Sequence, residues 1–197
     1  MNVVNNAITG LKRLSAVISV LALMACAGAS GMRDASGLPV MVPKADFKLT
    51  EIFIDWRDNP GFQYSVSQVV PRGTRSAGLS EPVRAQASAD MKGLVSLFKD
   101  NAKPVLGQAL KSRGVAAGQK QTINLTPVAG FHSDAEISLT VRAEVYDSET
   151  RKRWTFDLKN SSGVLLLGAR SYKPGPEVVE SYTKQLMETF ASAQLVN

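Results

Sequence analysis

Apolar and polar positions alternate strictly along residues 136–146. Ile137, Leu139, Val141, Ala143 and Val145 take one side, and Glu136, Ser138, Thr140, Arg142, Glu144 and Tyr146 the other. A period of two marks a strand with one buried and one wet face. Asp147-Ser148-Glu149-Thr150 then turns the chain. The alternation resumes over 151–159, with Trp154, Phe156 and Leu158 against Arg153, Thr155, Asp157 and Lys159. The two runs predict an antiparallel hairpin. Residues 47–56 (FKLTEIFIDW) also read as strand, with Ile52, Ile54 and Trp56 in one phase. Asp58-Asn59-Pro60-Gly61 signals a turn, after which 62–70 is expected to return as a second strand with Phe62, Tyr64 and Val66 in phase. Residues 121–128 predict a short strand carrying Ile123 and Leu125, and Val164-Leu165-Leu166-Leu167 offers a further edge or buried strand.

Two stretches carry the helical period instead. Over 83–112, Met91, Leu94 or Val95, Phe98, Ala102, Val105 and Ala109 recur at three- and four-residue steps. Pro104 should kink or split this helix near 101–103, and Gly114 is placed to cap its end. From about Glu177, Val179, Tyr182, Leu186 and Phe190 form a second stripe. Gly175-Pro176-Glu177 supplies a first-turn proline and an acid at the positive helix end. Residues 71–82 read as loop. Two helices covering one face of a mostly antiparallel sheet would bury both stripes, so the expected fold is an α+β two-layer sandwich.

The first residues follow neither period. Lys12 and Arg13 precede an apolar run of about a dozen residues, Leu14 to Ala25, where a membrane-spanning helix needs about 20. Residues 1–25 therefore read as an export leader. Leu23-Met24-Ala25-Cys26 resembles the bacterial lipobox. That resemblance implies cleavage between Ala25 and Cys26, diacylglycerol on the Cys26 sulfur, and N-acylation in Gram-negative species. One acyl chain holds a membrane only marginally, whereas two or three hold it firmly. Ala27, rather than Asp, after the cysteine resembles the sorting pattern for the outer membrane. The alternative is a plain secretory leader cut after Ala25, Ala27 or Ala29. Residues 26–45, rich in Gly, Ala, Ser and Pro, are expected to tether the anchor to a globular domain over 46–197, although Leu38 to Val42 could pack as an arm.

Composition narrows the function classes. In 197 residues there is one Cys and one His, so an intramolecular disulfide and Cys- or His-clustered metal sites are excluded. The only cysteine stands where the lipobox needs it. Loss of Lys12 and Arg13 with the leader takes the net charge from +6 to +4, which is mild attraction for anionic head groups or glycans and too little to argue for nucleic acid.

A helix ending Leu110-Lys111-Ser112-Arg113-Gly114-Val115 runs toward a strand. A hairpin then reads Ala143-Glu144-Val145-Tyr146-Asp147, turn, Arg153-Trp154. This pattern resembles small bacterial envelope lipoproteins. The groups are the auxiliary lipoproteins of ABC-type lipid transport systems, the lipopolysaccharide-assembly lipoprotein, and lipoproteins related to the curli-secretion and penicillin-binding-protein-activator proteins. The resemblance spans roughly 47–195. It implies an accessory or scaffolding role, not an enzyme, and transfers no functional residue.

His132-Ser133-Asp134 does not make a triad, because adjacent residues cannot line up nucleophile, base and orienting acid, and no G-x-S-x-G elbow exists. His132 reads as a solvated loop residue. Asp55, Asp58, Asp134 and Glu136 read as turn and solubility carboxylates. The candidate binding residues are Phe62, Tyr64, Arg72 and Arg75 in an irregular segment, and Arg151, Lys152 and Arg153 on the hairpin shoulder. The expected protein is an outer-membrane lipoprotein on the periplasmic side. It has no catalytic residue, no metal and no cofactor beyond the lipid on Cys26, and it binds an envelope protein partner. A module for anionic lipid or glycan, which would need an apolar cleft between helix and sheet or the basic shoulder, is the alternative.

Overall fold

In a computed structural model the chain runs β1 (Glu51–Trp56), β2 (Gln63–Val66), α1 (Glu81–Lys111), β3 (Ala116–Ala117), β4 (Gln121–His132), β5 (Ile137–Asp147), β6 (Arg153–Ser162) and α2 (Glu177–Ser192). The structure describes residues 41–67, 80–133, 136–162 and 175–197. The leader, Ala25, Cys26, most of the tether, Arg72, Arg75 and the 164–167 run lie outside these residues. The fold is α+β, with one mixed six-stranded sheet in the order β3-β1-β4-β5-β6, β2 pairing with β4 off this path.

The meander β4-β5-β6 follows the alternation. Ile137, Leu139, Val141, Ala143 and Val145 are all buried, and so are Trp154, Phe156 and Leu158. β5 pairs β6 antiparallel from Ile137↔Ser162 to Tyr146↔Arg153. Asp147 holds the turn. Its Oδ1 accepts from Glu149 N, Thr150 N and Thr150 Oγ1 at 3.1, 2.8 and 2.9 Å, and its Oδ2 accepts from Gln121 Nε2 at 2.7 Å. Burial by itself would raise this carboxyl; the hydrogen bonds from Thr150, Gln121 and Glu149 outweigh it and hold the group below the usual carboxylate range. Gln121 is fully engaged, because its Nε2 also donates to Lys48 O and its Oε1 accepts from Thr50 N. One buried amide thus ties the approach to β1, the start of β4 and the hairpin turn together.

The other side of the sheet departs from expectation. The Asp58–Gly61 turn does not reverse the chain. β1 and β2 both run parallel to β4, end to end along its edge, pairing Ile52–Trp56 with Gln121–Leu125 and Gln63–Val66 with Ala129–His132. β4 is longer than expected, reaching His132, and it carries the cause. Pro127 has no N–H for the ladder. The β4–β5 register shifts between Pro127 and Ala129, and the carbonyl of Pro127 accepts from the Asn59 side chain at 2.9 Å. Asn59 also accepts from Gly61 N, so its side chain substitutes for strand where the edge breaks.

Both helices lie on one face. α1 runs through Pro104 as one helix, so the proline does not split it. Its buried stripe is Ala87, Met91, Leu94, Phe98, Ala102, Leu106 and Leu110. The inner positions past Ala102 are thus Leu106 and Leu110, not Val105 and Ala109. Repeated four-residue steps make the stripe wind about the helix, as a helix crossing a twisted sheet requires. The helix ends as expected: Gly114 sits at φ +81°, Val115 N donates to Leu110 O, and Gly114 N donates to Lys111 O. α2 closes the same way, with Gln194 at φ 64° and Leu195 N donating to Phe190 O. Its expected stripe, Val179, Tyr182, Leu186 and Phe190, is wholly buried. Tyr182 meets Phe98 edge-on at 5.3 Å, and Phe190 meets Trp154 edge-on at 5.6 Å. Pro43 and Ala45, placed in the tether by composition, bond to this unit: Trp154 Nε1 donates to Pro43 O, and Ala45 N donates to Ala193 O. No helix among the described residues is long and apolar enough to cross a membrane.

Candidate functional site

The outer face of the sheet is electrically closed. Arg142 grips Asp157 with two bonds of 2.7 and 2.8 Å, which hold the guanidinium pKa above its ordinary value. Arg153 reaches Glu144 and Lys159 reaches Glu136, and the same two cations lie over the rings of Tyr146 and Phe131. Opposite charges matched across strands describe a solvated face.

The margin of the sheet is different. Alternate residues of β1 turn their backbone groups to β4, as the bond from Arg57 N to Leu125 O shows. The residues between them turn outward, where the carbonyls of Thr50 and Ile52 accept from Ala116 N and Gly118 N at 2.9 and 2.8 Å. β3 pairs only Glu51 and Ile52. At Gly118 the chain leaves the edge and crosses β1 on its outer face. There Gln119 N donates to Glu51 Oε1, and a Cβ on Gly118 would collide with the Glu51 side chain. Beyond that point the backbone N–H and C=O groups of Ile54 and Trp56 meet no strand among the described residues.

α1 overhangs this open edge. Between them lies a cleft of about 910 Å³ lined by Ile52, Phe53, Ile54, Lys103, Pro104, Gly107, Lys111 and residues 115–119. Its floor is apolar. Gly107 keeps the helix side open, since a Cβ there would only reach ordinary contact with Ile54 Cδ1 at 3.7 Å. Phe53 is 43% exposed, with Lys103 Nζ 5.0 Å above its ring. A second cleft of about 360 Å³ continues toward the start of the helix, lined by Asp58, Phe62, Tyr64, Ser88, Met91, Lys92, Val95, Ser96 and Lys99. Gly130 on β4 packs tightly behind two of these lining residues: a Cβ there would meet Met91 Sδ at 2.8 Å and Tyr64 Cβ at 2.9 Å. The Lys99–Asp58 bridge, 2.7 Å, stands between the two clefts. Its hydrogen bond and a second from Trp56 hold the Asp58 carboxyl below its usual range. The lining residues run along one flank of α1 from Ser88 to Lys111, about 35 Å at 1.5 Å per residue.

Phe62 and Tyr64 are brought together, stacked at 6.4 Å, as a wall of the second cleft. The shoulder residues do not converge. Lys152 turns to Asp46 at 2.6 Å, Arg153 turns to the outer face, and Arg151 is an exposed residue at φ 58°. Trp154 beside them belongs to the core. His132 is no solvated loop residue. It ends β4, and its Nε2 lies 3.0 Å from Asp90 Oδ2 on α1. The bulge after Pro127 switches the phase of β4, so that His132 and Gly130 face the helices. Phe53, Lys103, Gly107 and Lys111 did not stand out in the sequence as binding residues. The available signal was a second stripe on α1, Ser88-Lys92-Val95-Lys99-Lys103-Gly107-Lys111, beside the core stripe. That β1 is an edge could not be read from local pattern.

Fold and site define a class: a mixed α+β two-layer sandwich with a lysine-edged apolar groove at one sheet margin. No family model and no curated protein matches the chain. Among solved structures, one described as an uncharacterized protein aligns with TM-score 0.37 and 11% identity, covering 79% of this chain and 95% of its own. A DUF330 protein from Xanthomonas campestris aligns with TM-score 0.30 and 11% identity, covering 78% and 86%.

Proposed function

We propose that the chain is an outer-membrane lipoprotein, anchored on the periplasmic side through Cys26, whose α+β domain is a non-catalytic accessory binding an envelope assembly or transport component. Leu23-Met24-Ala25-Cys26 supports the anchor. The observation that carries the binding role is the groove under α1, where apolar surface lies beside a strand edge with no partner among the described residues. Two measurements test the reading. Cys26→Ser should abolish lipid-dependent processing and release the protein from the membrane fraction; unchanged attachment overturns the anchor. A photoreactive residue at Phe53 in living cells should crosslink one envelope protein, and a control at Tyr146 on the closed face should not. Lipid adducts at Phe53 with no protein would favour the second reading, a lipid-binding module, to which the apolar lining of the same cleft also speaks.

A further inference from the structure

The groove and the sheet's outer face treat charge in opposite ways. On the outer face Arg142, Arg153 and Lys159 each meet a carboxylate. Along the groove Lys92, Lys103 and Lys111 meet none among the described residues, and only Lys99 is paired. A row of unmatched cations beside an apolar floor is complementary to a ligand that is apolar on one side and acidic on the other.

The backbone decides between an acyl chain and a polypeptide. The N–H and C=O of Ile54 and Trp56 point out of the sheet at this margin. A hydrocarbon chain seated there would take these groups from water and return no partner. An extended polypeptide would pair them in the row that β3 begins, placing alternate side chains on the apolar floor. Lys103, its Nζ 5.0 Å above the Phe53 ring, sets a charge beside the edge in the free protein, as charged side chains commonly do on exposed strands. An acidic side chain on the incoming strand would draw it aside.

We infer that the free edge of β1 accepts, as an added strand, an extended segment of a partner protein in which apolar and acidic residues alternate. This deepens the accessory-binding reading and rests on it. The probe is a short synthetic peptide alternating Val and Glu. Its comparators are the Val/Lys peptide, a backbone N-methylated Val/Glu peptide and phosphatidylglycerol bicelles. The readout is amide hydrogen exchange of the full-length protein in detergent micelles. The Val/Glu peptide should slow exchange at Ile54 and Trp56 by at least about tenfold, and the N-methylated and lysine peptides should not. Gly107→Leu should fill the groove and weaken the peptide about tenfold or more without lowering Tm, because leucine favours helix over glycine. The surface change Lys103→Glu should weaken it as well. No protection by the acidic peptide, equal protection by its N-methylated form, or protection by bicelles alone would overturn strand addition. A Phe53 crosslink to a single envelope protein that persists alongside such a result would leave the accessory role standing and remove only this mode of binding.

Discussion

The β4-β5-β6 meander and the β3-β1-β2 margin share one sheet and are built on opposite terms. The meander joins long strands by antiparallel ladders, one of them through a tight turn, and nearly every inward residue is fully buried. Its outer charges are paired. The margin consists of strands of two to six residues, all parallel to their neighbours, interrupted by an Asx turn and leaving backbone groups unpaired among the described residues. The contrast teaches that stability and availability are separated in space. The slab holds the fold, and the margin, short of partners among the described residues, is where we propose that another molecule adds.

Substitutions can break or sharpen this contrast. Phe98→Ala, at the contact between the two helices above the slab, should cost about 3–5 kcal/mol in denaturant unfolding. Asp147→Ala should cost about 1–3 kcal/mol by orphaning donors on Gln121 and Thr150. Because the folded carboxyl is held below its unfolded value near 3.9, its contribution is present at neutral pH and is lost as pH falls through the folded value. Unfolding followed across acid pH should show this slope in the native chain and less of it in Asp147→Ala. Gly130→Ala should cost about 1–3 kcal/mol, since the methyl group has no room between Met91 and Tyr64. Gly114→Ala should cost about 1 kcal/mol through the left-handed cap, read as a shift in thermal midpoint. Arg142→Ala, on the closed face, should cost under about 1 kcal/mol, less in high salt, and leave the groove untouched.

Legibility followed the same division. The hairpin, its turn, both helices and the α2 stripe could be read because each is specified by neighbours in sequence. Phe62 and Tyr64 were expected in a binding segment from their irregular, aromatic surroundings, and the structure places them together beside the second cleft. The groove residues were not, because Lys103 and Lys111 look like any solvated helix face until an open strand edge lies beneath them. The Asp58–Gly61 turn misled for a related reason. A strong local turn signal can serve a hairpin or a mere interruption, and Pro127, about 70 residues away, makes it an interruption here.

By itself the sequence determined where period-two and helical segments lie, which faces are apolar, and where α1 stops. Those properties depend on backbone sterics and on side chains a few positions apart. The tertiary structure alone decided that β1 and β2 run parallel to β4, that the bulge after Pro127 turns His132 and Gly130 toward α1, and that the lysine flank of α1 overhangs a strand edge left open among the described residues. Each of these depends on contacts between residues dozens of positions apart, made by strands too short to reveal their neighbours.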